Sequence, residues 1–215
     1  MEPAPDSLSK LTRPRLRDTL PRPRLFGQLD SARQSAISWI VGPPGAGKTT
    51  LAASYLDHSA VSSLWYQVDE GDADVASFFY YLGLAGNAHS AGARRLPLFT
   101  TEYALGLPVF TRRFFEQLSV CLNAPFTVVL DNYQLVPDDS PLHDVIATAA
   151  ETIAGQGHIL VASRTAPPPA FARLQANRQL EILDWQNLKL RDDEIEGLYR
   201  RLCPDQPSSE KLLQV

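Results

Sequence analysis

The chain has 215 residues, of which 44% are hydrophobic and 20% charged, and its formal net charge is −4. This composition is typical of a folded globular protein and excludes a largely disordered chain. No run approaches 18 apolar residues, and the N-terminus has no apolar h-region, so we predict no membrane span and no signal peptide. The two cysteines lie far apart without metal-ligand spacing, which argues against a disulfide framework or a zinc site and favours a reducing, cytoplasmic location.

Residues 1–24 form a leader that is rich in proline and arginine and has no sustained periodicity. The leader holds six Lys and Arg against three acidic residues, so it contributes +3 and the rest of the chain carries −7. That remainder is a poor candidate for coating a nucleic acid backbone. The leader itself could touch phosphate, although a solvated segment partly docked on the domain is the favoured interpretation. We expect it to be extended, and ordered only where the domain binds it.

Residues 25–203 alternate between short apolar runs and amphipathic segments, which predicts an α/β domain with a mainly parallel sheet. The predicted strands are 37–41, 64–68, 126–130, 159–162 and 180–183. The predicted helices are 49–58, 74–84, 108–122, one that starts at Pro141 after an N-cap at Ser140, and 191–202. Residues 83–101 lack a clear period and are predicted to form an inserted loop. Residues 204–215 are expected to begin a following helical domain of a longer protein.

Residues 42–49 match the phosphate-binding pattern GxxxxGK[ST] in full. Glycines let the backbone wrap around a phosphate, and the helix that follows directs its positive end at the anion. Lys48 has the reach for the β and γ phosphates, and the Thr49 hydroxyl is a ligand for Mg²⁺. The pattern therefore predicts a site for a nucleoside triphosphate, ATP in the favoured interpretation, with Mg²⁺. The predicted nucleotide-binding residues are Gly42, Pro43, Pro44, Gly45, Ala46, Gly47, Lys48, Thr49 and Thr50.

A second acidic strand follows about 80 residues later and ends in Asp131. A P-loop NTPase keeps its Mg²⁺-supporting aspartate at such a strand end, so we predict that role for Asp131. The next residue is Asn132, whose amide can orient water but cannot accept its proton, so hydrolysis is expected to be slow unless a base comes from elsewhere. Asp69 and Glu70 are the nearest alternatives, although an acidic turn that leads a helix is the favoured interpretation of them.

Residues 158–164 form a further strand that ends in Ser-Arg. In the additional-strand class of P-loop ATPases, the strand between the two motif strands carries a polar residue that faces the γ-phosphate. Arg164 fits such a sensor, since a fixed guanidinium would distinguish ATP from ADP. The alternative is a surface arginine that opens the proline-rich loop 167–169. The predicted fold is a three-layer P-loop NTPase with a five-stranded sheet in the order 5-1-4-3-2.

The remaining aromatic and imidazole side chains have simpler interpretations. Trp65 and Trp185 lie on or beside strands and are predicted to be core residues, as is Trp39, although its place near the glycine loop leaves contact with adenine open. No histidine has ligand spacing, so all four are predicted to be surface or capping residues: His58, His89, His143 and His158.

Several segments, taken together, resemble a known family. They are 11–14 and 21–25 before the glycine loop, 65–72 with Phe78 and Phe79, 130–134, 162–164 with Pro167 and Pro168, and 188–190. Their order and spacing resemble the N-terminal ATPase module of signal-transducing STAND proteins, and in particular the MalT-like bacterial activators, which end in a LuxR-type helix-turn-helix domain. The resemblance covers residues 10–202.

The resemblance implies an ATP/ADP switch. An inducer would free a closed ADP form, exchange for ATP would open it, the modules would self-associate, and slow hydrolysis would reset them. DNA binding is implied only through a domain absent from these 215 residues. The residues that the resemblance assigns are Lys48 and Thr49 to phosphate and Mg²⁺, Asp131 to the metal, Arg164 to sensing, and Arg22 to nucleotide contact. Asn132 departs from the family, which commonly has a second aspartate there.

Three functions remain open on the sequence alone. They are a regulatory ATPase module of a transcription activator, a working ATPase of another P-loop class such as a clamp loader or chaperone motor, and an interaction module with a vestigial loop. The intact 42–49 segment argues against the third.

Overall fold

The structure is a computed structural model that describes residues 9–89 and 95–203. At its centre lies a five-stranded sheet in the order β2-β3-β4-β1-β5, in which every pairing is parallel. This is the predicted order read from the other edge, so the predicted fold class, a P-loop NTPase with an additional strand, is confirmed. The strands are β1 (Ile37–Val41), β2 (Ser62–Gln67), β3 (Phe126–Asp131), β4 (Gly157–Ser163) and β5 (Leu180–Leu183).

Helices cover both faces of this sheet. Those in the described residues are α1 (Pro23–Ala32), α2 (Lys48–Ser59), α3 (Val75–His89), α4 (Leu107–Leu122), α5 (Leu142–Ile153), α6 (Ala172–Ala176), α7 (Trp185–Leu188) and α8 (Asp192–Leu202). Local signals explain several of their starts. Pro108 lies in the first turn of α4, where a missing N–H removes no helical bond. The predicted start at Pro141 is one residue early, since Pro141 is the N-cap of α5, and the Ser140 hydroxyl accepts from the Leu142 N–H at 3.2 Å.

The core consists of two clusters, one on each face of the sheet. The larger contains residues of α3, α4 and α5, and the smaller contains residues of α1 and α2. Successive strand residues alternate between them: Trp39 and Val161 belong to the larger cluster, whereas Ile40 and Leu160 belong to the smaller. Because both faces are buried, the strands read as continuous apolar runs, which is why the sequence revealed them. Within the described residues, no helix is long and apolar enough to cross a lipid bilayer.

Several parts of the chain differ from the prediction, among them β2, which was predicted at 64–68, and the short helices α6 and α7, which were not predicted. The predicted loop 83–101 is wrong in its first part, because α3 continues to His89. Gly86 serves close packing there, since a Cβ on it would come within 2.7 Å of Leu118 on α4. Helix α1, which was not predicted, begins at Pro23, two residues before the predicted start of the domain. The predicted helix in 204–215 lies outside the described residues.

The described part of the leader lies against the domain. Lys10 forms ion pairs with Asp69 at 2.8 Å and with Asp72, whose side chain is fully buried, at 2.9 Å. Leu11 packs against the larger core cluster and Leu16 against the smaller. The favoured interpretation of the leader as a docked segment therefore holds for residues 9–22.

Candidate functional site

The glycine loop joins β1 to α2 at the carboxyl edge of the sheet. Gly45 and Gly47 have φ angles of 77° and 79°, a left-handed conformation that side chains other than glycine rarely adopt. A Cβ built at either of them meets nothing within 4 Å, so the space beside the loop backbone is open. Gly47 stands at the start of α2 without a side-chain cap, so the first N–H groups of the helix face no competing acceptor from that residue. This arrangement suits an anion.

Lys48 lies folded over the loop that precedes it. Its Nζ donates to the carbonyl oxygens of Gly42 at 2.7 Å and Pro43 at 2.9 Å. Burial lowers the pKa of Lys48, the neighbouring Arg164 guanidinium lowers it further, and the Asp131 carboxylate opposes both. Lys48 and Arg164 thus both bring positive charge to the carboxyl edge of the sheet, where the negative charge of a phosphate would be favourable.

Thr49 and Asp131 are joined directly. The Thr49 hydroxyl lies 3.0 Å from each oxygen of the Asp131 carboxylate, which ends β3 and is 4% exposed. Burial raises the pKa of Asp131, while hydrogen bonds from Thr49 and from the Asn132 N–H, with the charge of Lys48, act against that rise. A hydroxyl beside a buried carboxylate is an oxygen donor set of the kind that Mg²⁺ prefers. A dication here would also stabilise the buried negative charge, so these residues fit the predicted metal.

The predicted sensor, Arg164, follows β4 directly, and its side chain is exposed. Its backbone N–H donates to the Gln134 side-chain oxygen at 3.1 Å, and the Gln134 amide nitrogen lies 3.5 Å from the Asn132 side-chain oxygen. The ends of β3 and β4 are thus connected through Gln134. Gln134 was not predicted to be a site residue, since nothing in its local pattern shows which strand end it would contact.

Arg22 occupies the N-cap position of α1. Its guanidinium donates to Glu194 on α8 through Nε at 3.2 Å and Nη2 at 2.9 Å, and to the Lys189 carbonyl at 3.0 Å. The guanidinium is therefore occupied by a carboxylate, and the predicted contact between Arg22 and the nucleotide stays a prediction. The residue nevertheless lines the cavity that adjoins the glycine loop.

That cavity has a volume of about 590 Å³, which is within the range of about 300–1,000 Å³ that small-molecule sites show. The leader, the beginning of α2 and the α7–α8 segment form its walls. Several side chains of the α7–α8 wall are apolar: Trp185, Leu188, Leu190, Ile195 and Leu198. Gly45, Gly47 and Thr50 line it on the side of the glycine loop. An apolar cavity next to a phosphate-binding loop can hold a nucleobase.

Comparison with known proteins agrees with this geometry. The chain is 31% identical over 197 residues to the HTH-type transcriptional regulator MalT of Yersinia pestis (strain Pestoides F), and 30% identical to that of Yersinia enterocolitica. Each alignment covers 89% of this chain. By these matches the chain is MalT-like over most of its own length, and its fold is that of a P-loop ATPase. The aligned part spans 21% of the length of those regulators.

Two further comparisons concern the fold of the module. A family model described as Nephrocystin 3, N-terminal, matches residues 21–95, which include the glycine loop. The solved structure of a Walker-type ATPase of Pyrococcus abyssi superposes with a TM-score of 0.52 at 13% identity, over 90% of this chain and 63% of that one. At this identity the match shows a shared fold.

Two tryptophans of the module differ in their surroundings. Trp185 was predicted to be a core residue, but it is 40% exposed and lines the cavity beside the glycine loop. Trp39 is fully buried, and its Nε1 donates to the Thr165 carbonyl at 2.9 Å, which leaves no route to an adenine. The prediction that Trp39 belongs to the core is confirmed.

Two histidine predictions were wrong, because burial depends on long-range packing. His158 is 3% exposed and lies between the Ser35 carbonyl and the Ser38 hydroxyl. His143 is 4% exposed and contacts the Tyr133 hydroxyl.

Asp69 fits its favoured interpretation as part of an acidic turn. One carboxylate oxygen accepts from the Gly71 N–H at 2.9 Å, and the other pairs with Lys10. These partners occupy Asp69, so the module gains no general base from it.

Proposed function

We propose that this module binds ATP with Mg²⁺, hydrolyses it slowly, and acts as the nucleotide-dependent switch of a MalT-like transcription regulator. The observation that carries this proposal is the contact between the Thr49 hydroxyl and the Asp131 carboxylate directly after an open glycine loop. In a vestigial loop, we would not expect these two oxygen donors to lie together, or the cations of Lys48 and Arg164 to be present beside them.

In this function the loop N–H groups bind the phosphate chain and Lys48 exchanges its two loop carbonyls for phosphate oxygens. Thr49 and Asp131 hold Mg²⁺, which neutralises phosphate charge. Arg164 adds a second cation beside Lys48, so a nucleotide with a γ-phosphate gains a contact that a diphosphate lacks. The module offers no carboxylate at position 132, so activation of water is weak and turnover is slow.

The cavity gives this site a route to the rest of the protein. Its walls include the leader and α8, and the contact between Arg22 and Glu194 joins those two segments. A nucleotide that contacts both walls would favour one packing of α8 on the leader over others, which is how differential binding shifts a conformational equilibrium.

We extend the proposal to the whole protein through its MalT relatives. Self-association in the ATP form, DNA contact through a domain outside this chain, and a location in the cytoplasm are the properties that such a regulator would have. Rapid basal turnover would instead favour the alternative, a working ATPase of another P-loop class.

Calorimetric titration with Mg·ATP tests the binding site. We expect Lys48→Ala to weaken ATP binding by at least about a hundredfold, because two charge-assisted hydrogen bonds to phosphate are lost. Arg173→Ala is the control, since it removes a positive charge from an exposed side chain that lies outside both the glycine loop and the cavity, and it should keep the affinity. Unchanged ATP affinity in the Lys48 variant, with the fold intact by circular dichroism, would contradict the proposed function.

A further inference from the structure

The Arg164 backbone N–H fixes the orientation of two side-chain amides. A backbone N–H can only donate, so the Gln134 atom that lies 3.1 Å from it must be the amide oxygen. The Gln134 NH₂ group then faces Asn132 at 3.5 Å, and the Asn132 atom that accepts from it must be its oxygen. The orientation of both amides therefore follows from one backbone donor.

Asn132 itself is held by its backbone. It has a left-handed φ of 61°, which asparagine tolerates better than most residues, and its N–H donates to the Asp131 carboxylate at 3.0 Å. Within residues 9–89 and 95–203, no hydrogen bond to the Asn132 side-chain nitrogen is seen. The oxygen of this amide is thus engaged on the Gln134 side, and its two N–H donors remain for another acceptor.

We propose that Gln134 is a positioning residue that makes Asn132 a donor to the γ-phosphate and so gives the site its preference for ATP over ADP. This inference rests on the proposed function of the module. It agrees with the slow turnover proposed above: an amide takes no proton from an attacking water in either orientation, and one held with NH₂ toward the nucleotide does not orient that water through its oxygen either. The site holds ATP rather than activating water against it.

Gln134→Glu is the sharpest test because it inverts this arrangement. One carboxylate oxygen can still accept from the Arg164 N–H, but the other now faces Asn132, whose amide must turn to donate toward it. Asn132 then presents its oxygen to the nucleotide. We expect the ratio of the ADP and ATP dissociation constants to fall about tenfold, since a hydrogen bond to a charged phosphate is replaced by a repulsive contact, and single-turnover hydrolysis to rise.

A double-mutant cycle separates this effect from the added negative charge. The added charge acts in the wild-type and Asn132→Ala backgrounds alike, whereas reorientation requires the Asn132 amide. We expect Gln134→Glu to change the ADP/ATP ratio several-fold more in the wild-type background than in Asn132→Ala. Gln134→Met serves in the same cycle if the glutamate variant does not fold, since it removes the acceptor and the donor without adding charge.

Each outcome decides between the two proposals. Equal effects of the Gln134 substitution in both backgrounds, with wild-type protein that binds ATP, would overturn the positioning role and leave the proposed function standing. Wild-type protein that binds neither nucleotide would overturn the proposed function itself. Coupled effects on the ratio, with melting temperatures that match across the cycle, would support the positioning role, because a purely structural residue would not move the ratio through Asn132.

Discussion

Replacing Glu194 with glutamine should loosen the junction between the leader and α8. The Glu194 side chain is 8% exposed and accepts from Arg22 at 2.9 Å, from Arg24 at 3.2 Å and from the Arg191 N–H at 3.0 Å. Glutamine has nearly the same shape, but it has no charge and places an NH₂ group where a donor already lies. The substitution therefore leaves two partly buried arginines without their counter-ion, which is costly even when the packing is kept.

The pKa of Glu194 gives the magnitude. Burial alone would raise this pKa, but the hydrogen bonds from Arg22, the Arg191 N–H and Arg24 outweigh it and lower the pKa from 4.5 to about 2. Such a shift corresponds to about 3 kcal/mol of stability at neutral pH. Because the folded-state pKa is the lower one, this stabilisation is fully present above pH 4.5 and is lost as the pH falls from 4.5 toward 2.

Urea unfolding measures this contribution. At pH 7 we expect Glu194→Gln to lower the free energy of unfolding by about 2–3 kcal/mol, and the difference from wild type to shrink below pH 4.5. Glu196→Gln is the matched control, since Glu196 pairs with Arg200 on the same helix at 2.6 Å with both side chains at least half exposed, and should cost less than about 0.5 kcal/mol. Equal costs for the two variants, or a difference that does not change with pH, would refute this reasoning.

Two further predictions concern stability. Burial lowers the pKa of His158 from 6.5 to about 4, so the unfolded chain binds this proton more readily than the folded one. The free energy of unfolding should therefore fall by about 3 kcal/mol as the pH is lowered from 6.5 to 4. We expect His158→Gln to flatten this slope, and an unchanged slope in that variant would contradict the prediction. Gly157→Ala would place a Cβ against the Phe126 ring and should lower the free energy of unfolding by about 1–3 kcal/mol. Gly83 lies inside α3, and a Cβ on it would be 3.8 Å from Phe114. In the same urea assay, Gly83→Ala should therefore be neutral or stabilising by up to about 1 kcal/mol.

The sheet could be predicted because its signals are local. The strands at 37–41 and 180–183 match the prediction in both bounds, and β3 and β4 extend their predicted ranges by one or two residues. Strands buried on both faces are continuous apolar runs that turn residues interrupt, so they need no tertiary information. Helix α1 escaped prediction because its start lies among prolines that resemble an extended leader. The last turns of α3 were not predicted because, in sequence, a glycine that allows close helix packing cannot be told from a glycine of a loop.

The site divides in the same way. The glycine loop, Asp131 and Arg164 could be proposed from sequence because parallel strands bring their carboxyl ends to one edge, where residues distant in sequence converge. Glu194 could not, since its role depends on an arginine 172 positions away. Trp185 was assigned to the core because the cavity that it lines exists only once the α7–α8 segment lies next to the glycine loop.

The structure also indicates how the cavity can communicate with α8. Leu20 of the leader packs on Gly197 of α8, where an added Cβ would lie 3.2 Å from it. Arg201 of α8 donates to the Thr19 carbonyl at 2.5 Å. With the contact between Arg22 and Glu194, these interactions fasten the leader along the length of α8. The strands of the sheet are buried on both faces and packed too tightly to shift in small steps. On the proposed function, a change in nucleotide would therefore act first at the wall where leader and α8 meet, because that wall is held by a few polar contacts and borders the cavity directly.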